Sequence, residues 1–251
     1  MYHQFGILII WRSIMKIIGT CISCSHKYCA KKVSLFQSFT DESLTKVLSL
    51  IERLEFNKGD SIFQEGDTFD RLYIVNGGSF KIFRHNKEGK EQILYVLGDG
   101  EFIGDINLLK KDVFTFSAIA LEQTHLCTIK KDDFDALMMQ HPEMFQAVLE
   151  SAYDRIVSLE QLVQTLTVKD VDTRLAALLV RMAESFGTRT KEGIEIQMNL
   201  TREEMASFVG LTRETISRKL SRFQTDGLIE IFENKTILIK DYDALVDLSD
   251  I

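Results

Sequence analysis

Residues Leu200–Gln224 have the sequence LTREEMASFVGLTRETISRKLSRFQ. Thr201 and Glu204 have the S/T-x-x-E spacing of a capping box, so we expect a helix to begin here. Gly210 allows the backbone to turn at positive φ, and Thr212 can cap a second helix. One face of that second helix is apolar and another is polar, which predicts a helix-turn-helix with an exposed recognition helix.

Two β-rich runs follow, LIEIF at Leu228–Phe232 and TILIK at Thr236–Lys240, and only three residues separate them. This spacing predicts a β-hairpin. A helical hairpin with a solvated polar face would explain the two helices alone, whereas the added hairpin favours a winged-helix domain that binds double-stranded DNA. The residues predicted to contact DNA are Thr201, Thr212, Arg213, Glu214, Ser217, Arg218, Ser221 and Arg222.

The composition is that of a globular protein of one or two domains, with 251 residues, 45% of them hydrophobic and 27% charged. The formal net charge is -7, yet residues 201–225 carry five basic and three acidic side chains, a net charge of +2. Contact with phosphates depends on the local charge. The overall acidity therefore does not argue against DNA binding.

Several classes of protein are not expected. The sequence shows no Ser/His/Asp, paired-carboxylate or phosphate-loop pattern, so we do not expect an enzyme. The apolar run Phe5–Trp11 is too short to span a bilayer and has no charged region ahead of it, so we expect no signal peptide, no membrane segment and a cytoplasmic location. Met15 offers an alternative start, and a misassigned start codon would account for residues 1–14.

The middle of the chain has the pattern of an all-β domain. Glycines recur from Gly59 to Gly104, with short apolar runs such as Arg71–Val75 between them, which predicts a small antiparallel barrel or roll. The predicted α+β order is a cysteine-bearing arm over residues 1–34, a β-roll over 35–131, a helical region over 132–170 and the winged helix over 171–251. Within this order we expect Lys16–Val33 to be a loop and Thr40–Leu54 to be a helix.

A long helix is predicted from Glu143 to Thr167, because this stretch contains no glycine and no proline. Its apolar residues alternate spacings of three and four, as in the seam of a two-stranded coiled coil. Packing of the stripe on the helix's own domain would give the same pattern, but we favour a homodimer. The seam residues are Leu149, Ala152, Ile156, Leu159, Val163 and Leu166.

The order of roll, long helix and winged helix resembles the family of the cyclic-AMP receptor protein and FNR. The most specific stretches are GDGEFIGDINLL at Gly98–Leu109, DTRLAALLVRMAESFG at Asp172–Gly187 and GLTRETISRKLSRFQTDGLIEI at Gly210–Ile231. The resemblance implies a double-stranded β-helix or jelly-roll sensor domain of the cyclic-nucleotide-binding type. It also implies a dimeric transcriptional activator that binds a near-palindromic operator and contacts RNA polymerase.

The resemblance offers a cyclic-nucleotide pocket as one input site. Family members that bind cyclic AMP have a Gly-Glu pair followed by an Arg-Ser pair, whose arginine holds the cyclic phosphate. The corresponding pairs here are Gly104-Asp105 and Phe116-Ser117. Because the arginine is absent, we do not expect a cyclic nucleotide to bind.

The cysteines offer a second input site. Cys21, Cys24 and Cys29 form a C-x2-C-x4-C group, and Cys127 is the fourth and last cysteine of the chain. Four thiolates are the usual ligands of a [4Fe-4S] cluster. The FNR branch is similar, with three cysteines near the N terminus and a fourth at the end of the roll, although FNR has one residue more between the second and third. The resemblance therefore implies oxygen or redox sensing through a cluster on these four residues.

Other uses of the same residues remain open. The thiolates would also suit a structural zinc ion, and two of them would suit a switch that forms a disulfide. His26 lies within the cysteine group and is a further candidate ligand. A regulator that responds to a small molecule and an iron-sulfur electron carrier are the remaining alternatives, and the second would not need a helix-turn-helix.

The resemblance also assigns roles on the recognition helix. Glu214, Ser217 and Arg218 match the E-x-x-S-R pattern of the FNR branch, while Arg213 matches the cyclic-AMP receptor branch. Arginine binds guanine acceptors and glutamate accepts a hydrogen bond from cytosine. We therefore predict a half-site with a central G·C pair bound by Glu214 and Arg218. In this hypothesis the cluster ties the arm to the roll, and its loss weakens the dimer or reorients a standing dimer.

Overall fold

The computed structural model describes residues 17–20, 29–105, 113–233 and 235–249, with the side chains of all of these except residues 17–20 and 29. Residues 1–14, with their proposed start-site error, lie outside this set, as do Cys21, Cys24 and His26. Within it, the predicted order of β-roll, long helix and winged helix-turn-helix is confirmed.

The roll consists of two antiparallel sheets. The first has the strand order β1-β2-β9-β4-β7 and the second the order β3-β8-β5-β6. Their bounds are β1 Ile17–Thr20, β2 Glu52–Phe56, β3 Ser61–Phe63, β4 Arg71–Val75, β5 Phe80–His85, β6 Glu91–Leu97, β7 Phe102–Ile103, β8 Ser117–Ala120 and β9 Thr124–Lys130. The prediction of a roll from short strands and glycine turns is therefore correct.

The N-terminal arm contains more regular structure than we predicted. Lys16–Val33 was expected to be a loop, but Ile17–Thr20 is strand β1 and Cys29–Lys32 is a helical turn, α1, followed by a 3-10 turn at Ser34–Phe36. Strand β1 forms because it pairs with β2 at the edge of the sheet. Helix α1 forms beside a core, where Ala30 and Val33 are buried. Both elements depend on distant residues.

Helix α2 is shorter than predicted. It runs from Asp41 to Leu50, and the Thr40 side chain caps it by accepting a hydrogen bond from the Ser43 N–H. The expected extension to Leu54 is wrong, because residues 52–56 form β2 and pair with β9. The gain from sheet pairing and burial outweighs the helical pattern at this point.

Helices α3 (Lys131–Gln140) and α4 (Met144–Thr167) follow the roll. The long helix α4 is tied to the roll by Arg155, whose Nη1 donates to Oδ1 of the fully buried Asp105 at 2.7 Å. Nη2 of Arg155 donates to the Phe102 carbonyl at 2.6 Å. Since a buried charge is stable only when it is paired, this contact fixes the middle of α4 against the roll.

The C-terminal domain begins with α5, Val171–Phe186. A sheet of order β10-β11-β13-β12 packs with three further helices. Their bounds are β10 Gly187–Arg189, β11 Ile194–Gln197, α6 Arg202–Val209, α7 Arg213–Thr225, β12 Ile229–Ile231, β13 Thr236–Ile239 and α8 Tyr242–Leu248. The predicted hairpin is β12–β13, and the sequence reasoning missed β10 and α8. Among the described residues, no helix is both long enough and apolar enough to cross a bilayer.

We predict that Arg155→Met destabilises the protein by about 3–5 kcal/mol, because it leaves the Asp105 carboxylate buried without a partner. Arg84→Met is the matched control, since Arg84 pairs with Glu65 at 3.7 Å with both side chains about half exposed. Exposed pairs contribute about 1 kcal/mol or less. Urea unfolding followed by circular dichroism measures both. Equal losses in the two variants would contradict the role given to Arg155.

Candidate DNA-binding surface and cysteine site

The turn of the helix-turn-helix has the predicted local structure. The Thr201 N–H donates to Glu204 Oε2 at 2.8 Å, and the Glu204 N–H donates to Thr201 Oγ1 at 3.2 Å, which completes the capping box. Gly210 ends α6 with φ +66°, and Thr212 caps α7 by accepting from the Thr215 N–H. All three sequence predictions for this turn are confirmed.

Helix α7 presents the predicted polar residues to solvent. Ile216, Leu220 and Phe223 are buried on its inner face. Helix α7 is therefore held by its apolar face while its other face is free to enter a groove. The exposed residues are Thr212, Arg213, Glu214, Ser217, Arg218, Ser221 and Arg222, and Thr201 is exposed at the start of α6.

Two basic residues of α7 are bound to an acid that sequence reasoning missed. Lys219 Nζ lies 2.7 Å from Asp172 Oδ1, with both side chains less than one fifth exposed. Arg222 Nη1 lies 3.5 Å from Asp172 Oδ2 and also pairs with Asp226. Asp172 is in the first turn of α5, so these contacts fix the angle of the recognition helix. Lys219 therefore stabilises the packing of α7 on α5 through its ion pair with Asp172.

The long helix presents part of the predicted seam to solvent. Ile156 is 55% exposed, Leu159 38% and Val163 61%, which is unusual for aliphatic side chains on one stripe. Leu166 differs, because it is half-buried against the core of the C-terminal domain, close to Gly210. Further exposed apolar side chains on the same helix are Phe145, Leu149 and Tyr153.

Cys127 is buried in the middle of the first sheet. It faces Ile74 of β4 and Arg53 of β2, and Arg53 in turn faces Gly19 of β1. Strands lie about 4.8 Å apart, so the end of β1 passes within about 10 Å of β9. Cys21 directly follows β1 in the sequence. The chain therefore enters the cysteine segment two strands away from the strand that carries Cys127.

The residues that follow the cysteine segment lie close to Cys127. Cys29 is the first residue of α1, and its neighbour Ala30 lines a small hollow together with Cys127, Val33 and Phe36. The residue that follows the segment, Ala30, therefore lies beside the buried thiol, while β1, which precedes the segment, lies two strands away. Among the described side chains, no three His, Cys, Asp or Glu residues form a metal-binding group, and Cys127 is the one proposed ligand whose side chain is described.

The interior of the roll is filled with aromatic side chains. Phe114 stacks on Phe63 with ring centroids 3.7 Å apart and contacts Phe69 at 3.4 Å. Phe116, at the position of the missing arginine, contacts the same rings. Ser117 Oγ accepts a hydrogen bond from the Glu65 N–H at 3.1 Å. These residues form a packed core at the place where the resemblance puts the nucleotide pocket.

A separate cavity of about 370 Å³ lies between β6, α4 and α5. Arg155, Arg181, Glu101 and Tyr95 are among the residues of its wall. Burial raises the pKa of Tyr95 to about 12, and burial also raises the pKa of Glu101. The cavity wall carries charges of both signs, and the cavity lies beside the roll. Its basic residues are Lys32, Arg155 and Arg181, and its acidic residues are Glu101, Glu150, Asp154 and Glu184.

Two family models match the chain. The cyclic nucleotide-binding domain matches residues 53–141, and the Crp-like helix-turn-helix domain matches residues 173–248. The electron transport regulator A of Shewanella oneidensis is 33% identical over 203 residues, which cover 80% of this chain and 80% of that protein. The CRP-like cAMP-activated global transcriptional regulator of Mycobacterium tuberculosis is 28% identical over 214 residues, 85% of this chain and 95% of that protein. The structure of FixK2 from Bradyrhizobium japonicum covers 80% of this chain and 98% of its own, with a TM-score of 0.72 and 19% identity, and shares the fold.

We predict that Glu214→Ala reduces discrimination at one base pair of each half-site by about 1–3 kcal/mol, because a carboxylate that accepts from cytosine distinguishes that base from the others. Selection of bound duplexes from a random library measures the base preference. Glu192→Ala, an exposed acid on the β10–β11 turn, is the control and should leave the preference unchanged. An unchanged preference in Glu214→Ala would remove Glu214 from the set of base-contacting residues.

Proposed function

The chain belongs to the Crp/Fnr family of DNA-binding transcriptional regulators, and from this we propose that it senses oxygen or redox state through a [4Fe-4S] cluster. The observation that supports the proposal is the position of the residues that flank the cysteine segment: Ala30 lines one hollow with buried Cys127, and Thr20 lies in β1, two strands from β9. The matching domains and the relatives are regulators and not enzymes, as the sequence predicts.

The residues fit such a group in number and type. Cys21, Cys24, Cys29 and Cys127 supply four thiols, the usual complement for a [4Fe-4S] cluster. Cys127 is 4% exposed and shares its hollow with Ala30 of α1, so ligands from the arm would meet it on the side of the sheet where the arm packs. An apolar surrounding of this kind also limits the access of solvent.

A bound cluster would supply one-electron chemistry and sensitivity to oxygen. In this proposal, the protein itself couples a movement of the arm to a movement of α4. Ala30 and Val33 of the arm share one buried apolar cluster with Cys127 and with Met144 and Val148 in the first turns of α4. We name this cluster the sensor core. Close-packed cores transmit small shifts, so release of the arm would alter how α4 is held.

We propose that the exposed stripe of α4 pairs with the same stripe of a second copy. Ile156, Leu159 and Val163 would be covered in such a homodimer, and their apolar surface would leave water. Two recognition helices about one helical turn of DNA apart then bind a near-palindromic operator. On DNA we expect contact with RNA polymerase, activation as the regulatory effect, and a cytoplasmic location.

A cyclic nucleotide does not suit the roll, since aromatic rings fill its interior and Phe116 replaces the phosphate-binding arginine. The M. tuberculosis relative is named as cAMP-activated; we do not extend that property to this chain, which has Phe116 in place of the arginine. A second candidate function is response to a small molecule bound in the cavity between β6, α4 and α5. Thermal shifts with cyclic AMP and with inorganic phosphate would test it.

We predict that protein purified without air contains about four iron and four acid-labile sulfide per chain, with broad visible absorption that fades in air. Cys127→Ser should lose most of the iron, because it removes the one ligand contributed by the roll. Chemical analysis of iron, sulfide and zinc measures the outcome. One zinc per chain would contradict the cluster and indicate a structural zinc site instead. Metal-free protein that forms a disulfide in air would also contradict it and would indicate a thiol switch.

His26→Ala is the matched control in the arm. Because the four thiols already complete the ligand set, this variant should retain wild-type iron. An iron content in His26→Ala as low as in Cys127→Ser would contradict ligation by the four cysteines alone.

We predict that Ile156→Glu converts the dimer into a monomer, because it places a charge in the centre of the seam, where like charges would face each other. Operator affinity should fall at least about tenfold, since a single helix-turn-helix contacts one half-site. Gln161→Glu is the control, because it adds the same charge to an exposed position on the opposite face of α4. Sedimentation velocity measures the assembly. A dimeric Ile156→Glu protein would contradict the proposed seam.

A further inference from the structure

The helix-turn-helix is docked against the roll of its own chain. Ser207 of α6 donates to the Glu91 carbonyl at 2.7 Å, and Gln92 Nε2 donates to the Phe208 carbonyl at 3.2 Å. These contacts join the first helix of the motif to strand β6. The linker between α4 and α5, residues 168–170, is only three residues long and extended. It can act as a hinge.

Lys81 of β5 lies at the centre of this contact. Its side chain is 7% exposed, and Nζ donates to Glu91 at 2.8 Å and to Glu204 of α6 at 2.9 Å. Burial raises the pKa of Glu204, but hydrogen bonds from Thr201 and Lys81 outweigh this and hold it below the ordinary value. Glu204 is therefore a carboxylate at neutral pH. The two ion pairs restrict the position of the buried lysine side chain, because a movement away from either carboxylate would leave a buried charge without its partner.

Apolar packing also joins the two domains, through Phe83, Ile93 and Leu121 of the roll. Apolar contacts hold surfaces together but are not directional. The hydrogen bonds of Lys81, Gln92 and Ser207 have directions, so they select one angle between the domains from those that apolar packing allows.

The docked arrangement leaves the DNA-binding face free. Arg213, Glu214, Ser217 and Arg218 are all exposed, so the roll does not cover the recognition helix. The contact between the roll and α6 therefore does not block the DNA-binding face. It holds the motif with that face directed away from the roll.

We propose that Lys81 is a positioning residue for DNA binding: by pairing with Glu204 and Glu91 it fixes the orientation of the recognition helix on the roll, and in a dimer it fixes the separation of the two recognition helices. The proposal rests on DNA binding by the family and on the proposed homodimer, and it is independent of the cysteine sensor. It assigns to the sensor roll a residue that governs which half-site spacing the protein accepts.

The test compares wild type with Lys81→Met on duplexes that carry the wild-type half-sites at spacings varied by single base pairs. The half-sites are those that wild type selects from a random library, and all proteins are prepared without air so that the cysteines are in one state. Wild type should prefer one spacing sharply. Lys81→Met should bind that duplex at least about fivefold more weakly and should discriminate less among the spacings.

Lys87→Met is the control, since Lys87 is an exposed lysine of the β5–β6 turn, and it should behave as wild type. Glu204→Gln keeps a side chain able to complete the capping box while removing the charge that Lys81 binds, so it should reproduce the relaxed spacing. If Lys81→Met does not fold, Gln92→Ala takes its place under the same criterion. A variant that binds more weakly but keeps the sharp wild-type spacing preference overturns the proposal, because a merely structural role would give that result.

Discussion

The sensor core is the contact on which the account of this protein depends. It packs the arm, the strand that carries Cys127 and the first turns of α4 into one apolar cluster. A close-packed interior does not deform gradually, so a displacement on one side must be accommodated on the other. The arm therefore cannot leave the sheet without a change in the surroundings of α4. In the proposed mechanism, this shared cluster links the arm to the helix that carries the proposed dimer stripe.

The roll lies between the arm, the long helix and the DNA-binding motif, and contacts all three. Its interior is a stack of phenylalanine rings, and the Asp105–Arg155 pair fixes α4 against its outer surface. A second set of polar contacts, centred on Lys81, holds the helix-turn-helix on the other sheet. The same domain thus contacts the arm, the long helix and the DNA-binding motif, and each contact includes buried side chains. In the proposed mechanism, a cofactor on the arm and an operator on α7 would be linked through this domain.

The sequence predicts those features that are encoded locally. The capping box at Thr201 and Glu204, the glycine at position 210 and the glycine-free run of α4 each determine structure within one or two helical turns. Strand β1, helix α1 and strand β2 were missed because each depends on pairing or packing with residues far away in the chain. Asp172 and Lys81 were missed for the same reason, since neither their burial nor their partners appear in any local pattern. The cysteines could be named from their spacing, whereas the burial of Cys127 in β9 and its contact with the hollow that Ala30 lines required the fold.

The central claim is that the state of the cysteines controls DNA binding through the sensor core. Operator affinity of one wild-type sample, measured by fluorescence anisotropy before and after exposure to air, tests it most directly. The account predicts a loss of at least about tenfold in air, within the range of typical allosteric coupling, while the fold by circular dichroism is retained. Equal affinity before and after exposure, in a sample whose cysteine state has demonstrably changed, would contradict it.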